Sequence, residues 1–263
     1  MTARRETTPF VLRSDANSIA TLTLNRPEAR NALTRAGIGE MIDALEAIKR
    51  DAAVKVVVLA GSGSAFCAGH DLKELRANPD PQWTRVFFDS CSAMMLAMTR
   101  LPQPVIARVH GVATAAGCQL VATADLAVAS RNASFATPGV NIGLFCSTPM
   151  VALSRAIGRK KAMEMLLIGR PLAAADAELA GLINMAVAPE KLDETVYGLA
   201  QVICQKSPKI LATGKRAFYE QIELGLSESY AYAGAVMARN MLEADATEGI
   251  DAFLQKRQPV WGK

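Results

Sequence analysis

Metal-spaced cysteines are missing from this chain, histidine is scarce, and no apolar run is long enough to cross a bilayer. The five cysteines, Cys67, Cys91, Cys118, Cys146 and Cys204, are odd in number and form no Cys-x-x-Cys pair. Free thiols in a reducing compartment are the simplest reading. His70 and His110 are the only histidines. Without a His/Cys cluster at ligand spacing, no structural or catalytic metal is expected. The short, interrupted apolar runs argue against a membrane span. Arg4 and Arg5 are followed by no apolar h-region, so no secretory signal is expected. Net charge is +4, spread along the chain with no lysine-rich helix. That is compatible with an anionic ligand and argues against nucleic acid. No Pro/Gly/Ser-rich linker, internal repeat or low-complexity tract interrupts the chain.

What is there is apolar and periodic. With 263 residues, 51% of them hydrophobic, one large domain or a core with a C-terminal appendage is expected. Residues 10–13 and Ile19–Leu24 read as strands joined by a turn at residues 14–17. Ile38, Met41, Ile42, Leu45 and Ile48 recur at helical spacing from about Thr34. Residues 56–60, Val105–Val109 and residues 126–129 are solid apolar runs typical of buried parallel strands, with short strands at Ser134–Ala136 and Met185–Val187. The stripe Phe87, Cys91, Met94, Met95, Met98 and Leu101 marks a core-facing helix. From about residue 148 the pattern is mostly helical. Strands alternating with helices predict an α/β layer with ligands at the strands' C-terminal ends.

Two short segments point to chemistry. Phe66-Cys67-Ala68-Gly69-His70-Asp71-Leu72 and Gly111-Val112-Ala113-Thr114-Ala115-Ala116-Gly117-Cys118-Gln119 are small-residue turns, each placed to open a helix directly after a buried strand. N–H groups at a helix start lack internal partners and sit at the positive end of the dipole. Brought together, two such turns form an oxyanion hole that polarises a carbonyl.

The residues resemble a known family. The run Leu24-Asn25-Arg26-Pro27-Glu28-Ala29-Arg30-Asn31-Ala32-Leu33 is similar to the N-terminal signature of the enoyl-CoA hydratase/isomerase (crotonase) superfamily. Residues 66–72, Pro104-Val105-Ile106-Ala107 with Gly111, residues 116–119, Asp125 and Ser134-Phe135 continue it. So do Gly169, Ala174, Ala177, Gly181-Leu182 and Glu248-Gly249 with Phe253 and Lys256. Residues 68–75, 113–119 and 135–141 look closest to one subgroup within it. The resemblance implies an α/β crotonase (ClpP-like) spiral of ββα units, with residues 1–200 as the core and residues 201–263 as a C-terminal helical trimerisation region. It implies a homotrimer or a hexamer, and an acyl-CoA thioester as ligand. Coenzyme A is then part of the substrate, with no permanently bound cofactor. By resemblance, the oxyanion donors are the backbone N–H groups of His70 and Ala116. Ala29, Arg30, Ala68, Asp71 and Leu72 contact CoA, and Phe253 and Lys256 approach the nucleotide from a neighbouring subunit. Each donor in such a site contributes about 3–4 kcal/mol. The location implied is the cytoplasm in a bacterium or the mitochondrial matrix in a eukaryote.

The sequence also departs from the family. Hydratases of this family use two glutamates, and their positions hold Gln119 and Gly139 here. Positioned acid–base groups supply roughly 10²–10⁴-fold each, so weak hydration is expected. Residues 145–149 depart as well. His70 is the best replacement base, with the alternative that only its backbone counts. Gln119 would orient a water or the acyl group, or be a satisfied buried amide. Asn141 would bond a ligand or shape a loop. Cys118 and Cys146 read as small buried residues rather than nucleophiles, Asp71 as a helix-capping carboxylate, and His110 as a turn residue. Asp125 and Glu164 read as structural. A non-catalytic acyl-CoA-binding protein is the competing reading. An RNA-binding member of the superfamily is a third, which the missing lysine-rich helix disfavours.

Overall fold

The computed structural model describes residues 8–262; Arg4 and Arg5 lie outside that range. Strand β1 (Val11–Ala16) pairs antiparallel with β2 (Ile19–Leu24). The turn is not at residues 14–17 as expected, but at Asn17 and Ser18, with φ of +53° and +62°. Two consecutive positive φ values suit the twist of a tight hairpin. The polar residues Arg13, Ser14 and Asp15 therefore stay in an exposed edge strand.

Helix α1 (Arg35–Lys49) is capped by Thr34, whose side chain accepts the Gly37 N–H. It buries Ile38, Met41, Leu45 and Ile48 of the stripe its periodicity predicts, with Ile42 only partly buried. Each following unit has one long strand, one short strand and one or two helices. In the first, β3 (Val56–Gly61) leads to β4 (Ala65–Cys67), α2 (Leu72–Ala77) and α3 (Pro81–Arg100). In the second, β5 (Val105–Val109) leads to β6 (Val112–Thr114) and α4 (Ala116–Thr123). In the third, β7 (Leu126–Ser130) leads to β8 (Ser134–Ala136), then α5 (Pro149–Ala156) and α6 (Arg159–Ile168). Strand β9 (Leu172–Ala173), α7 (Ala174–Ala180) and β10 (Met185–Val187) close the spiral. The long strands form a six-stranded sheet in the order β1-β2-β3-β5-β7-β10, and the short ones a four-stranded sheet, β4-β6-β8-β9. Both turns were expected directly after buried strands; instead β4 and β6 intervene, carrying each turn to the second sheet.

Helix α8 (Leu192–Cys204) packs Leu192, Val196 and Ala200 on Val56, Val58, Ile106 and Val128, covering the large sheet's outer face. Residue 200 lies inside this helix. Helices α9 (Pro208–Gln221), α10 (Leu226–Asn240) and α11 (Ala244–Leu254) complete a helical C-terminal region. A buried network ties α9 to the core: Lys215 Nζ lies 2.6 Å from Asp125 and 3.0 Å from both the Met98 and Gln103 carbonyls. Tyr219 donates to Asp125 at 2.9 Å. Asp125 is therefore structural. No described helix is long and apolar enough to cross a membrane.

Candidate active site

The first turn spans residues 68–71, between β4 and α2. Leu33 N–H donates to Gly69 O at 2.8 Å, and Asp71 N–H donates to Leu33 O at 2.8 Å. A trans peptide holds its C=O and N–H in opposite directions. With Gly69 C=O committed to Leu33, the His70 N–H faces away from Leu33. The second turn obeys the same geometry. Ala115 C=O accepts the Gln119 N–H at 3.0 Å, so Ala116 N–H points out of the start of α4. Neither N–H has a protein acceptor among the described residues. Ala115 sits at φ +50°, ψ −117°, a conformation alanine rarely adopts. Its N–H donates to Ala136 O at 2.8 Å, which fixes it.

The two turns touch. A Cβ on Gly69 (φ +94°) would stand 2.9 Å from Ala115 Cβ and 3.3 Å from Ala116 N. A Cβ on Gly117 would lie 2.1 Å from the Cys67 carbonyl oxygen. Only glycine lets the backbones approach this closely. Thr114 Oγ1 donates to Ala68 O at 2.9 Å, adding a further tie.

A cavity of about 540 Å³ opens beside them, bordered by His70, Leu72, Phe88, Gly139, Asn141 and Cys146, among others. The His70 ring is held at the edge of Phe87 and Phe88, with centroids 5.2 and 5.3 Å away. Its Nε2 is 3.2 Å from Cys91 Sγ. Burial pushes the imidazole down to about 4 and the Cys91 thiol up to about 12. Both are neutral at pH 7, and one hydrogen bond links them. The ring is a packing element, which favours the reading in which only the His70 backbone acts.

Asp71 caps α2, accepting the N–H groups of Lys73 at 2.9 Å and Glu74 at 3.1 Å, and pairs with Arg26 at 2.6 Å. Burial raises its carboxyl, but Arg26 and the N–H groups of Glu74 and Lys73 outweigh it and hold it below the ordinary range. Arg30 C=O accepts the Ala68 N–H at 2.9 Å. Ala29, Arg30, Ala68, His70, Asp71 and Leu72 thus gather along one edge. Asn141 stands exposed at the rim.

Other residues fall elsewhere. Gln119 is buried at 4% exposure and borders a separate cavity of about 780 Å³ among α3, α4, α5, α9 and α10. Its Oε1 has no protein partner among the described residues. Phe253, 82% exposed, lies in a groove with Ile210, Met237 and Trp261, apart from the site. Lys256 follows α11 at φ +54°. Burial pushes the Cys118 thiol up to about 12, which removes it as a nucleophile. His110 Nε2 donates to Gly63 O at 2.9 Å, a turn role. The described residues contain no cluster of three or more metal-ligating side chains. Sequence reading missed Arg26, which entered only within the signature at residues 24–33, Cys91, which entered only in a core stripe, and Phe88, which it did not single out.

The family model for Enoyl-CoA hydratase/isomerase matches residues 14–263. The chain belongs to the enoyl-CoA hydratase/isomerase family. The crotonase architecture is shared over nearly all of the chain with the crystal structure of an enoyl-CoA hydratase from Mycobacterium smegmatis. That likeness has a TM-score of 0.94 at 52% identity, covering 97% of this chain and 99% of the other. Human enoyl-CoA hydratase domain-containing protein 3 superposes with a TM-score of 0.93 at 42% identity, covering 96% and 100%. Its Xenopus laevis counterpart, named as mitochondrial, is 43% identical over 97% of this chain and 86% of its own length. The subgroup suggested by residues 68–75, 113–119 and 135–141 is thus the one these proteins define.

Proposed function

We propose that this crotonase-family chain binds an acyl-CoA thioester in the His70–Gly139 cavity, with the thioester oxygen accepting from the His70 and Ala116 N–H groups. The carrying observation is the adjacency of two outward-facing, unpartnered N–H groups at glycine-locked turns. The edge formed by Ala29, Arg30, Ala68, Asp71 and Leu72 takes the CoA moiety. Phe253 and Lys256 serve a neighbouring subunit's ligand in a trimer or hexamer built through the C-terminal helices, residues 201–263. CoA enters as part of the substrate, and the compartment follows the source: mitochondrial matrix in a eukaryote, cytoplasm in a bacterium.

The chemistry is that of a lyase or isomerase rather than a standard hydratase, because neither Gln119 nor Gly139 exchanges a proton. Incubation with crotonyl-CoA, followed by loss of the enoyl absorbance, tests this. Hydration should fall far below the usual kcat of about 1–10³ s⁻¹; turnover inside that range overturns the reading. The packed, neutral His70 ring favours a second reading, an acyl-CoA-binding protein without chemistry. It predicts butyryl-CoA binding by calorimetry and no product from any thioester tried.

A further inference from the structure

The Gln119 cavity, of about 780 Å³, shares no lining residue with the His70–Gly139 cavity. It is graded from floor to rim. Gln119, Met95 and Thr123 are buried at its floor. Leu96, Ala122, Val151 and Leu224 give apolar walls, and the charged residues stand at the exposed rim. The floor carries an open amide. The main chain of Gln119 is satisfied: its N–H donates to Ala115 O at 3.0 Å and its C=O accepts from Thr123 Oγ1 at 2.7 Å. Its side chain is not, because neither Oε1 nor Nε2 bonds to protein among the described residues. Burying an amide without a partner costs free energy that a matching ligand group recovers. The rim favours an anion. Arg155 is committed to Glu223 through bonds of 2.9 and 3.2 Å, and Glu220 accepts from Tyr232. Arg100 and Arg216 make no ion pair among the described residues. An entering ligand therefore meets two unpaired guanidinium groups, whose planar fork matches a carboxylate.

We propose that the Gln119 cavity is a second binding site, and that its ligand is a free fatty acid carrying a hydroxyl at the far end of its chain. The carboxylate sits at Arg100 and Arg216, the chain runs along the apolar walls, and the hydroxyl meets Gln119. A hydroxyl both donates and accepts, so it serves either end of the amide. A plain fatty acid leaves the amide unpaired. A neutral alcohol leaves the two arginines unpaired. The site is separate from the one assigned to the thioester and does not depend on that assignment.

Calorimetry on the full-length protein, with 10-hydroxydecanoate and decanoate below their micellar concentrations, tests this in the absence and presence of decanoyl-CoA. The expected result is that 10-hydroxydecanoate binds roughly tenfold tighter than decanoate, the worth of one net hydrogen bond, and that decanoyl-CoA leaves its affinity unchanged. Gln119→Leu, which keeps the bulk and drops the amide, should make the two acids equal. Arg100→Gln combined with Arg216→Gln should weaken both acids by the same factor. Val151→Trp, which fills the space from its exposed wall, should abolish binding of both acids while decanoyl-CoA binding persists. Equal affinity of the two acids for the wild type would mean that water alone meets Gln119, and the proposal fails. Displacement of the acid by decanoyl-CoA would make this space part of the thioester site, and the second site fails. If 10-hydroxydecanoate binds with the stated preference and decanoyl-CoA does not bind, this proposal stands and the thioester reading falls.

Discussion

The His70 imidazole sits between Phe87 and Phe88 with Nε2 against Cys91 Sγ, and burial holds it near 4 instead of 6.5. The folded state thus disfavours the charged ring. Between pH 6.5 and 4 the unfolded chain takes up a proton that the folded one refuses, so stability falls as pH drops through this window. Against His70→Phe, which cannot titrate, the wild type should lose ground between pH 7 and pH 4.5 in urea unfolding. A constant difference would contradict the packing. At this scale the sequence was readable where the backbone acts: residues 66–72 and 111–119 announce two turns through their small side chains. It was not readable where a side chain's direction depends on distant helices. Gln119 faces the space bounded by α9 and α10, and Cys146 fills the volume at 139 only because residues 143–146 fold back over it.

The long buried strands were legible as elements because residues 56–60 and 105–109 are continuous apolar runs. Among the short strands β8 and β10 were legible, but β4, β6 and β9, with two or three residues each, were not: β4 and β6 overlap the segments 66–72 and 111–119, which read as turns. They exist because neighbouring short strands supply the ladder. The docking of α9 depends on Lys215, whose side chain is 7% exposed against Asp125 at 18%. Burial pushes the lysine down while Asp125 opposes the shift. Lys215→Met leaves Asp125 and two carbonyls without their cation, and breaking a buried pair costs about 3–5 kcal/mol. Urea unfolding should register that loss. A change below about 1 kcal/mol, the worth of an exposed pair, would contradict the assigned role.

The single chain exposes several large apolar side chains in its C-terminal helical region. Leu226 is 77% exposed, Leu242 87%, Phe253 82% and Leu254 71%. Large apolar side chains left this exposed favour an association face in this region. Sedimentation should find a trimer or a multiple of it, and Leu242→Glu with Phe253→Glu should shift it toward monomer; a monomeric wild type at micromolar concentration would contradict the assembly.

Across all three scales, one proposed event is central: a thioester carbonyl polarised by two main-chain N–H groups. Isotope-edited infrared spectroscopy of butyryl-CoA, labelled with ¹³C at the carbonyl and bound to the protein, observes that bond directly. The C=O stretch should move to lower frequency on binding, as two hydrogen bonds weaken the double bond; an unshifted band in the bound complex would contradict the account.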